Sequence, residues 1–520
     1  MKFIIYISIF IFSLQGYSQT KVSSKLYAKD LKLAKAYFEA ENYLKALQYY
    51  RNVLAINPEH ETSNLNAVIC RINLNHKPDS SLLHLSKIKK NETPEVQFYF
   101  GKIYHLIGNF NEAIKCFTNY KAIAIKYRSI SDEEVNYNLN CSKNAIELMS
   151  QPHRAIIKNV GNKINTSFPE YVPLITPDET VLYFTSKRNG GIGNEIDGDG
   201  SFFEDIYVSH KENDGTWGAP KNIGAPINTK SNDACVALSF DGNLLIIYRT
   251  SPDLLSGDLY ISRMGFNGWE TPTKLGPEIN TPFAETSACF STDTSVIYFS
   301  SNKIGGFGGK DIYRIKKLPN GRWSMPLNLG SVINTDKDED APFLHPDGAN
   351  LYFSSKGHNT MGEYDVFKTT INHPDINSFS PPENLGFPIN SVNNDIFFVL
   401  NANGTKGYYS SVKEESFGGS DLYMIDTRFG DNDLKVKQGK VLFGNDASKA
   451  KITLIDIESK QVSGIYNADS KTGKFILVLN PLKSYKAIVE EEGFQTMTLD
   501  IEPIANELIE KELILSLTKK

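Results

Sequence analysis

The stretch NLGSVINT, residues 328–335, determines how the second half of this chain folds, because variants of it recur along the sequence. The other copies are NVGNKINT at 159–166, NIGAPINT at 222–229, KLGPEINT at 274–281 and NLGFPINS at 384–391. An active-site motif has no reason to occur five times, so we interpret the stretch as a structural repeat. Its glycine permits a bend, and its Asn-Thr pair can hydrogen-bond the turning backbone.

The same order of features accompanies each copy. An acidic residue precedes an apolar strand, a turn of the Pro-Asp or Asp-Gly kind follows, and a second strand ends in Tyr-Phe-Ser-Ser or a close variant. A Gly-rich loop, an Asp-x-Tyr element (Asp-Val-Phe in the fourth copy) and an aromatic residue with Pro lead into the next copy. Four short antiparallel strands per repeat are typical of a propeller blade, because packing blades around an axis protects the edges of small sheets.

These units resemble the PD40, or WD40-like, repeat of TolB-type propellers, and the resemblance implies a five-bladed all-β propeller over residues 155–428. The aspartates of the Asp-x-Tyr elements are interpreted as turn and strand-entry hydrogen-bond acceptors: Asp205, Asp258, Asp311, Asp365 and Asp421. One motif copy stands ahead of the first blade and none follows the last. We therefore predict that AIIKNVGNKI, residues 155–164, supplies the outer strand of the fifth blade as a clasp; a sixth blade is the alternative.

Residues 25–150 are predicted to be helical, since apolar residues recur there at three- and four-residue steps. The pattern resembles tetratricopeptide repeats, with small residues such as Ala34 and Gly101 where two helices must cross closely. In that family the concave face binds extended peptides or partner proteins. Lys35 and Lys102 fall at equivalent positions, and we predict that they point into this groove; two solvated lysines are the alternative.

Residues 435–520 contain short alternating strands joined by polar turns, a pattern that predicts a compact β-sandwich. This part is similar to carboxypeptidase-regulatory-like modules. The segment KELILSLTKK, residues 511–520, is expected to contain its final strand.

Residues 1–18 are predicted to be a secretory signal peptide, with one lysine, an apolar run and Gly-Tyr-Ser ahead of the cleavage point at Gln19. The apolar run is shorter than the roughly 20 residues that a membrane span requires. A formal net charge of -5 without a long basic run disfavours nucleic acid as a partner. Five isolated cysteines indicate neither a disulfide framework nor a zinc site, and we expect them to be buried.

This order of modules resembles the Bacteroidetes OmpA-family-like envelope proteins, among them the peptidoglycan-associated subunit of the type IX secretion system. That family continues into an OmpA-like domain that grips peptidoglycan. This sequence lacks such a domain, so peptidoglycan binding is not expected to carry over. The resemblance implies a location in the periplasm, associated with the outer membrane, and envelope or secretion-complex proteins as partners.

The sequence contains no nucleophile elbow, zinc-protease motif, Walker loop or dinucleotide-binding loop, so we predict no catalytic residue, metal or cofactor. Five acidic residues are predicted to share one register ahead of each first strand, at one mouth of the central channel: Glu170, Asp233, Glu285, Asp340 and Asp395. They are candidates for holding a cation or a basic peptide. The alternative is that each accepts hydrogen bonds from the adjacent crossover.

Two classes of function follow from these features. The favoured one is a non-catalytic scaffold that mediates protein–protein interactions in envelope assembly or secretion. The alternative is a propeller-based carbohydrate-binding or glycan-processing protein, because propeller glycosidases place carboxylates around their axis.

Overall fold

The computed structural model of the chain describes residues 27–74, 79–89, 94–123, 126, 129–193, 195–197, 201–251, 256–373, 377–427, 434–503 and 512–520. The predicted signal peptide and its cleavage site lie outside these residues. The chain divides into two compact units. One contains the described residues up to Lys143 and those of Ile196–Ser201; the other contains those of Asn144–Glu195 and Phe202–Lys520.

Seven helices occur in the described part of the chain. They are α1 (27–39), α2 (Tyr43–Ile56), α3 (Glu61–Asn73), α4 (Asp79–Ser86), α5 (Glu95–Leu106), α6 (Phe110–Ala122) and α7 (Asp132–Ser150). They fall within the region predicted to be helical, and the boundary between the two units lies inside α7. None of the helices described here is long and apolar enough to cross a membrane.

Small residues allow the helices to cross closely, as the sequence predicts. Ala34 and Ala46 are fully buried in one apolar cluster. A Cβ atom added at Gly101 of α5 would lie 2.5 Å from Phe117 Cε1 of α6, so this crossing requires glycine. Asn42 begins α2 by accepting a hydrogen bond from the Lys45 N–H, which satisfies one of the free amides of the first turn.

Five antiparallel sheets form the larger part of the second unit. The first contains β2 (Glu170–Ile175), β3 (Val181–Ser186), β4 (Asp205–His210) and β5 (Lys221–Asn222). The second contains β6 (Asp233–Leu238), β7 (Leu244–Thr250), β8 (Gly257–Gly265), β9 (Gly268–Trp269) and β10 (Thr273–Lys274). The third contains β11 (Ala288–Phe290), β12 (Val296–Ser301), β13 (Asp311–Lys316) and β14 (Leu327–Asn328).

The fourth sheet contains β15 (Glu339–Leu344), β16 (Asn350–Ser355), β17 (Asp365–His373), β18 (Ser378–Phe379) and β19 (Glu383–Asn384). The fifth contains β20 (Asp395–Leu400), β21 (Lys406–Ser411), β22 (Asp421–Asp426) and, from far earlier in the chain, β1 (Ile156–Asn159). The first strands contact one another in a closed cycle, β2 to β6, β6 to β11, β11 to β15, β15 to β20 and β20 back to β2. Small sheets arranged in such a cycle form a β-propeller.

The clasp that the sequence predicts is confirmed. Strand β1 pairs antiparallel with β22, with Ile157 opposite Ile425 and Asn159 opposite Tyr423. The sheet order is β1-β22-β21-β20, so the start of the propeller supplies the outer strand of its last sheet.

The C-terminal part consists of two further sheets that enclose an apolar core. One contains β23 (Lys435–Phe443), β24 (Asp446–Ala447), β27 (Lys474–Leu479) and β30 (Leu513–Ser516). The other contains β25 (Lys451–Asp456), β26 (Val462–Asn467), β28 (Tyr485–Glu490) and β29 (Met497–Ile501). Strand β30 pairs parallel with β23, which confirms a strand in the final segment.

All five cysteines are buried, as expected from their isolated positions. Burial raises the pKa of the Cys70 thiol to about 12. A buried thiol of this kind is chemically inert, because the thiolate is the reactive form.

Candidate functional site

The repeated motif fastens each crossover to the third strand of the preceding sheet. In the copy at 328–335, Asn328 Oδ1 accepts hydrogen bonds from the Gly330 N–H (2.8 Å) and from Asn334 Nδ2 (2.9 Å). Asn334 accepts from the Ile312 N–H at 2.8 Å and donates to the Ile312 carbonyl at 3.1 Å. Gly330 has φ +88°, a conformation that favours glycine.

The same side-chain pair occurs in three other copies, joining Asn159 to Asn165, Asn222 to Asn228 and Asn384 to Asn390. In each copy, the second asparagine accepts a hydrogen bond from the backbone N–H of the residue that follows the Asp of the Asp-x-Tyr element. The motif is therefore a clamp on the backbone, which confirms its structural role.

Four of the five Asp-x-Tyr aspartates are held by this clamp and by the Gly-rich loop. Asp311 Oδ2 accepts from Asn328 Nδ2 at 2.6 Å and from the Phe307 N–H at 2.7 Å. The equivalent pairs are Asp205 with Asn222, Asp365 with Asn384 and Asp421 with Asn159. The predicted turn and strand-entry role is confirmed for these four.

Asp258 in the second sheet is held differently. Its repeat has Lys274 where the other copies have the first asparagine, and Lys274 Nζ lies 2.7 Å from Asp258 Oδ2. An ion pair between two partly exposed side chains replaces the buried amide–carboxylate hydrogen bond there.

Acidic residues at or just before the start of the first strands are buried and accept hydrogen bonds from the adjacent crossover. Each accepts from the backbone N–H and the hydroxyl of the Thr or Ser that ends the motif. The pairs are Thr166 with Glu170, Thr229 with Asp233, Thr281 with Glu285, Thr335 with Glu339 and Ser391 with Asp395. These are the hydrogen bonds predicted from the sequence as the alternative to a cation or peptide site.

Asp340 does not belong to this register, and its place is taken by Glu339, so the prediction for position 340 is wrong. Glu339 lies opposite Ser355 in the β15–β16 pair and accepts a hydrogen bond from its hydroxyl at 2.7 Å. Asp340, one residue on, accepts from Ser300 Oγ at 2.7 Å and pairs with Lys310 Nζ at 2.7 Å, both on the third sheet. Two adjacent carboxylates occur in the sequence, and strand alternation decides which one faces the crossover.

Basic side chains at the ends of the second strands pair with three of these acids, a feature that the sequence reading missed. The closest atoms are Arg188 Nη2 and Glu170 at 3.2 Å, Arg249 Nε and Asp233 at 2.5 Å, and Lys413 Nζ and Asp395 at 3.7 Å. Each basic group also lies over a tyrosine ring of the third strand. These ion pairs could have been predicted from the sequence, because a basic residue recurs next to the end of the second strand.

The fourth sheet has the neutral side chain His358 at this place, where the first has Arg188. His358 Nε2 lies 2.9 Å from the Ile333 carbonyl, and burial lowers the pKa of this imidazole. Burial raises the pKa of Glu339 to about 7. It also raises the pKa of Asp365, whose Oδ1 has no hydrogen-bond partner among the described residues, to about 8. Two carboxyl groups of this sheet therefore hold protons near neutral pH.

The first strands enclose a central channel with a cavity volume of about 90 Å³. One lining residue from each sheet is Leu174, Val236, Phe290, Phe343 and Val399. Among the described residues, the lining includes no acidic or basic side chain, and neither the five predicted acidic residues nor Glu339 belong to it. Val172, Ala341 and Phe397, which do belong to it, have φ between +50° and +60°, an uncommon conformation for residues with a side chain.

The two candidate lysines of the helical unit have different surroundings. Lys35 is exposed on α1. Lys102 is half-buried on α5, and its Nζ lies 3.9 Å from Glu134 Oε1 of α7. Their part in a binding groove stays a prediction.

No protein-family model and no curated protein matches this chain. TolB from Acinetobacter baumannii is 16% identical over 51% of this chain and 55% of its own, with a TM-score of 0.32. A putative TolB from Agrobacterium tumefaciens is 15% identical over 52% and 96%, with a TM-score of 0.28. A glycoside hydrolase is 9% identical over 57% and 96%, with a TM-score of 0.38. This chain spans little more than half the length of the Acinetobacter protein, and likenesses this low assign it neither a partner nor an activity.

Proposed function

We propose that this chain is a non-catalytic scaffold of the cell envelope that binds envelope or secretion-complex proteins. In this proposal residues 25–150 are a tetratricopeptide repeat domain, residues 155–428 a five-bladed PD40 propeller and residues 435–520 a carboxypeptidase-regulatory-like sandwich. The protein acts in the periplasm, associated with the outer membrane. It belongs, on this proposal, with the OmpA-family-like envelope proteins of Bacteroidetes.

The observation that carries the proposal is that the buried acidic residue at the first strand of each sheet has the same structural role. In every sheet the first acid accepts the same two hydrogen bonds from the crossover. A propeller glycosidase instead needs two carboxyl groups with different tasks, about 5 to 10 Å apart around the scissile bond. Acids that repeat one structural task, together with an axis lined by uncharged side chains, support a protein whose activity lies in its surfaces.

The helical unit supports the same proposal. Its paired helices pack through small buried residues such as Ala34 and Gly101, as peptide-binding helical repeats do. Stacked helix pairs create an extended concave surface, which suits a protein partner better than a small substrate.

Two parallel measurements test the proposal. The purified mature protein is cross-linked in envelope extract and its partners are identified, and the same preparation is assayed on a panel of envelope and plant glycans. We expect specific protein partners and no glycan cleavage or binding. Glycan turnover, or glycan binding with no protein partner, would replace the scaffold by the carbohydrate-processing alternative.

The groove is tested with the charge reversals Lys35→Glu and Lys102→Glu together. Recovery of the cross-linked partner should fall several-fold if these lysines face it. Lys115→Glu, on the exposed surface of α6, is the matched control and should leave recovery unchanged. Equal recovery with all variants would remove Lys35 and Lys102 from the groove without affecting the scaffold proposal.

A further inference from the structure

The third sheet of the propeller has more exposed large apolar side chains than any of the other four sheets. Its segment 304–332 carries six exposed large apolar side chains: Ile304 (84% exposed), Phe307 (53%), Leu318 (40%), Met325 (79%), Leu327 (48%) and Val332 (44%). Among the described residues, the fourth sheet contributes none, the first contributes Ile192, the second Phe266, and the fifth Ile156 and Phe417. Single exposed apolar side chains are ordinary, but six in the segment of one sheet indicate an interaction surface.

The same sheet differs from its sisters in charge. From Ile312 to Thr335 the charged residues are Arg314, Lys316, Lys317 and Arg322, and none is acidic. Every corresponding segment of the other repeats contains at least one Asp or Glu, and the whole chain has a net charge of -5. Lys317 and Arg322 are exposed, and Lys317 lies opposite Trp323, two residues before Met325, in an isolated antiparallel bridge. A local excess of positive charge on a negative protein favours an acidic partner.

Leu327 is specific to this sheet. It lies on the outer strand β14, opposite Arg314. The residues in the equivalent pairs of the first, second and fourth sheets are Lys221, Thr273 and Glu383. The propeller therefore accepts a polar side chain at this place, and the fold does not require leucine there.

Strand addition to β14 is unfavourable. Pro326 has no N–H to offer an incoming strand. The Asn328 carbonyl already accepts a hydrogen bond from Asn377 Nδ2 at 2.9 Å. A partner must therefore satisfy its own backbone groups and make contact through side chains. An α-helix meets this condition, because its backbone hydrogen bonds are internal.

We infer that the outer surface of the third sheet, around Met325 and Leu327, binds an acidic amphipathic helix of a protein partner. The apolar face of the helix packs on these two side chains, and its carboxylates face Lys317 and Arg322. This inference rests on the proposed scaffold function and names one of its contact surfaces.

The test uses the full-length mature protein and two synthetic helical peptides with the same leucine face. One peptide carries glutamates beside that face and the other carries lysines at the same positions. Fluorescence anisotropy should show at least tenfold tighter binding of the acidic peptide, weakening as salt is raised. Binding should fall at least tenfold in the double variant Met325→Ser, Leu327→Lys and in the double variant Lys317→Glu, Arg322→Glu.

Phe266→Ser is the matched control, because it removes an even more exposed apolar side chain from the second sheet and should leave affinity unchanged. All changed side chains are exposed, and thermal unfolding verifies that each variant is folded. Equal binding of both peptides, equal loss with the Phe266 variant, or no loss with the Met325 and Leu327 variant would overturn the inference.

Two further measurements separate other occupants. If the Met325 and Leu327 variant lost binding to phosphatidylglycerol vesicles while its peptide binding was unaffected, the surface would be assigned to a membrane instead. A concentration-dependent dimer that the Leu327 variant abolishes would assign it to a second copy of the chain. If the scaffold fails, envelope cross-linking recovers no specific protein; if only this inference fails, the recovered proteins are the same for the parent and the Leu327 variant.

Discussion

A single exchange, lysine for asparagine at position 274, changes how the second sheet is held. In the other sheets the motif asparagine donates to a buried aspartate and accepts two hydrogen bonds of the crossover, as Asn222 does with Asp205, Gly224 and Asn228. Lys274 has no acceptor atom, so at this position only the contact with Asp258 remains, as an ion pair. Asn280 still hydrogen-bonds the Leu259 backbone. The two sites should therefore respond differently to the same mutation.

Replacing Asn222 by Ala should destabilise the propeller by about 2 to 3 kcal/mol, because it removes three hydrogen bonds, those with the buried groups of Asp205 and Asn228 and with the Gly224 N–H. Replacing Lys274 by Ala should cost about 1 kcal/mol or less, since a partly exposed ion pair contributes little. Urea unfolding followed by circular dichroism measures both free energies of unfolding. Equal losses at the two positions would contradict the difference in burial on which this prediction depends.

The fourth sheet makes stability depend on pH. The folded-state pKa values of Glu339 (about 7) and Asp365 (about 8) lie above the ordinary carboxyl values, so the folded protein retains protons that the unfolded chain releases. Stability from these groups is therefore full below the ordinary carboxyl pKa values of about 4, falls as pH rises above them, and is lost once pH has passed the folded-state values. Each group can contribute up to about 1.4 kcal/mol per pH unit within this window.

We expect the unfolding temperature to fall between pH 5 and pH 8.5, and to fall less in Asp365→Asn and in Glu339→Gln. Asp336→Asn is the control, because this aspartate is exposed and lies three residues before Glu339; its curve should follow the parent. Differential scanning calorimetry across this range provides the measurement. Parallel curves for the parent and both buried variants would show that neither carboxyl holds a proton in the folded state.

At the scale of elements, the clasp β1 connects two parts of the chain that lie more than two hundred residues apart. Four residues of β1 pair with β22, and Asn159 adds a hydrogen bond to Asp421 at 2.8 Å. Asn165 brackets Leu422 from the same side. Without this segment, β22 becomes an open edge strand, which is a template for aggregation.

A chain that begins at residue 151 keeps the clasp, and one that begins at residue 166 loses it. The shorter chain should unfold at a lower temperature and aggregate, while the longer one should behave like the propeller of the intact protein. Thermal unfolding with light scattering compares the two. Identical melting of both chains would mean that β22 does not depend on β1.

At the scale of the whole second unit, the sandwich packs on the turns that join the first and second strands of the propeller sheets. Phe240 contacts Tyr466, and the Tyr466 hydroxyl donates to the Pro346 carbonyl at 3.1 Å. Asn243 Nδ2 donates to Asp469 at 2.9 Å, and Lys471 Nζ donates to the Gly265 carbonyl at 2.8 Å. Phe240 also packs against the apolar core of the sandwich, so we expect the interface to depend strongly on this side chain.

Replacing Phe240 by Ala should therefore separate the unfolding of the sandwich from that of the propeller. We expect one calorimetric transition for both parts in the parent and two in the variant, with a loss of about 3 kcal/mol at the interface. Phe266→Ala, in the neighbouring turn of β8 and β9 but almost fully exposed, is the control and should retain the parent pattern. A single transition in the Phe240 variant would contradict this dependence.

The sequence alone determined the repeat, the strand order within it and the origin of the clasp. These features follow from period-two alternation, turn residues and the count of motif copies. All three can be read from the sequence without knowledge of distant contacts. The structural role of Asp205, Asp311, Asp365 and Asp421 could be predicted for the same reason, because a task repeated in every sheet is visible in the sequence.

Tertiary structure alone decided which carboxylates face which partners. The sequence offers Glu339 and Asp340 side by side, and only the register of β15 against β16 places Glu339 on the crossover and Asp340 on the third sheet. The uncharged channel was also beyond prediction, since it depends on how five first strands close into a cycle. Repeats specify local hydrogen bonds, whereas burial and charge pairing arise between repeats, where side chains from distant positions meet.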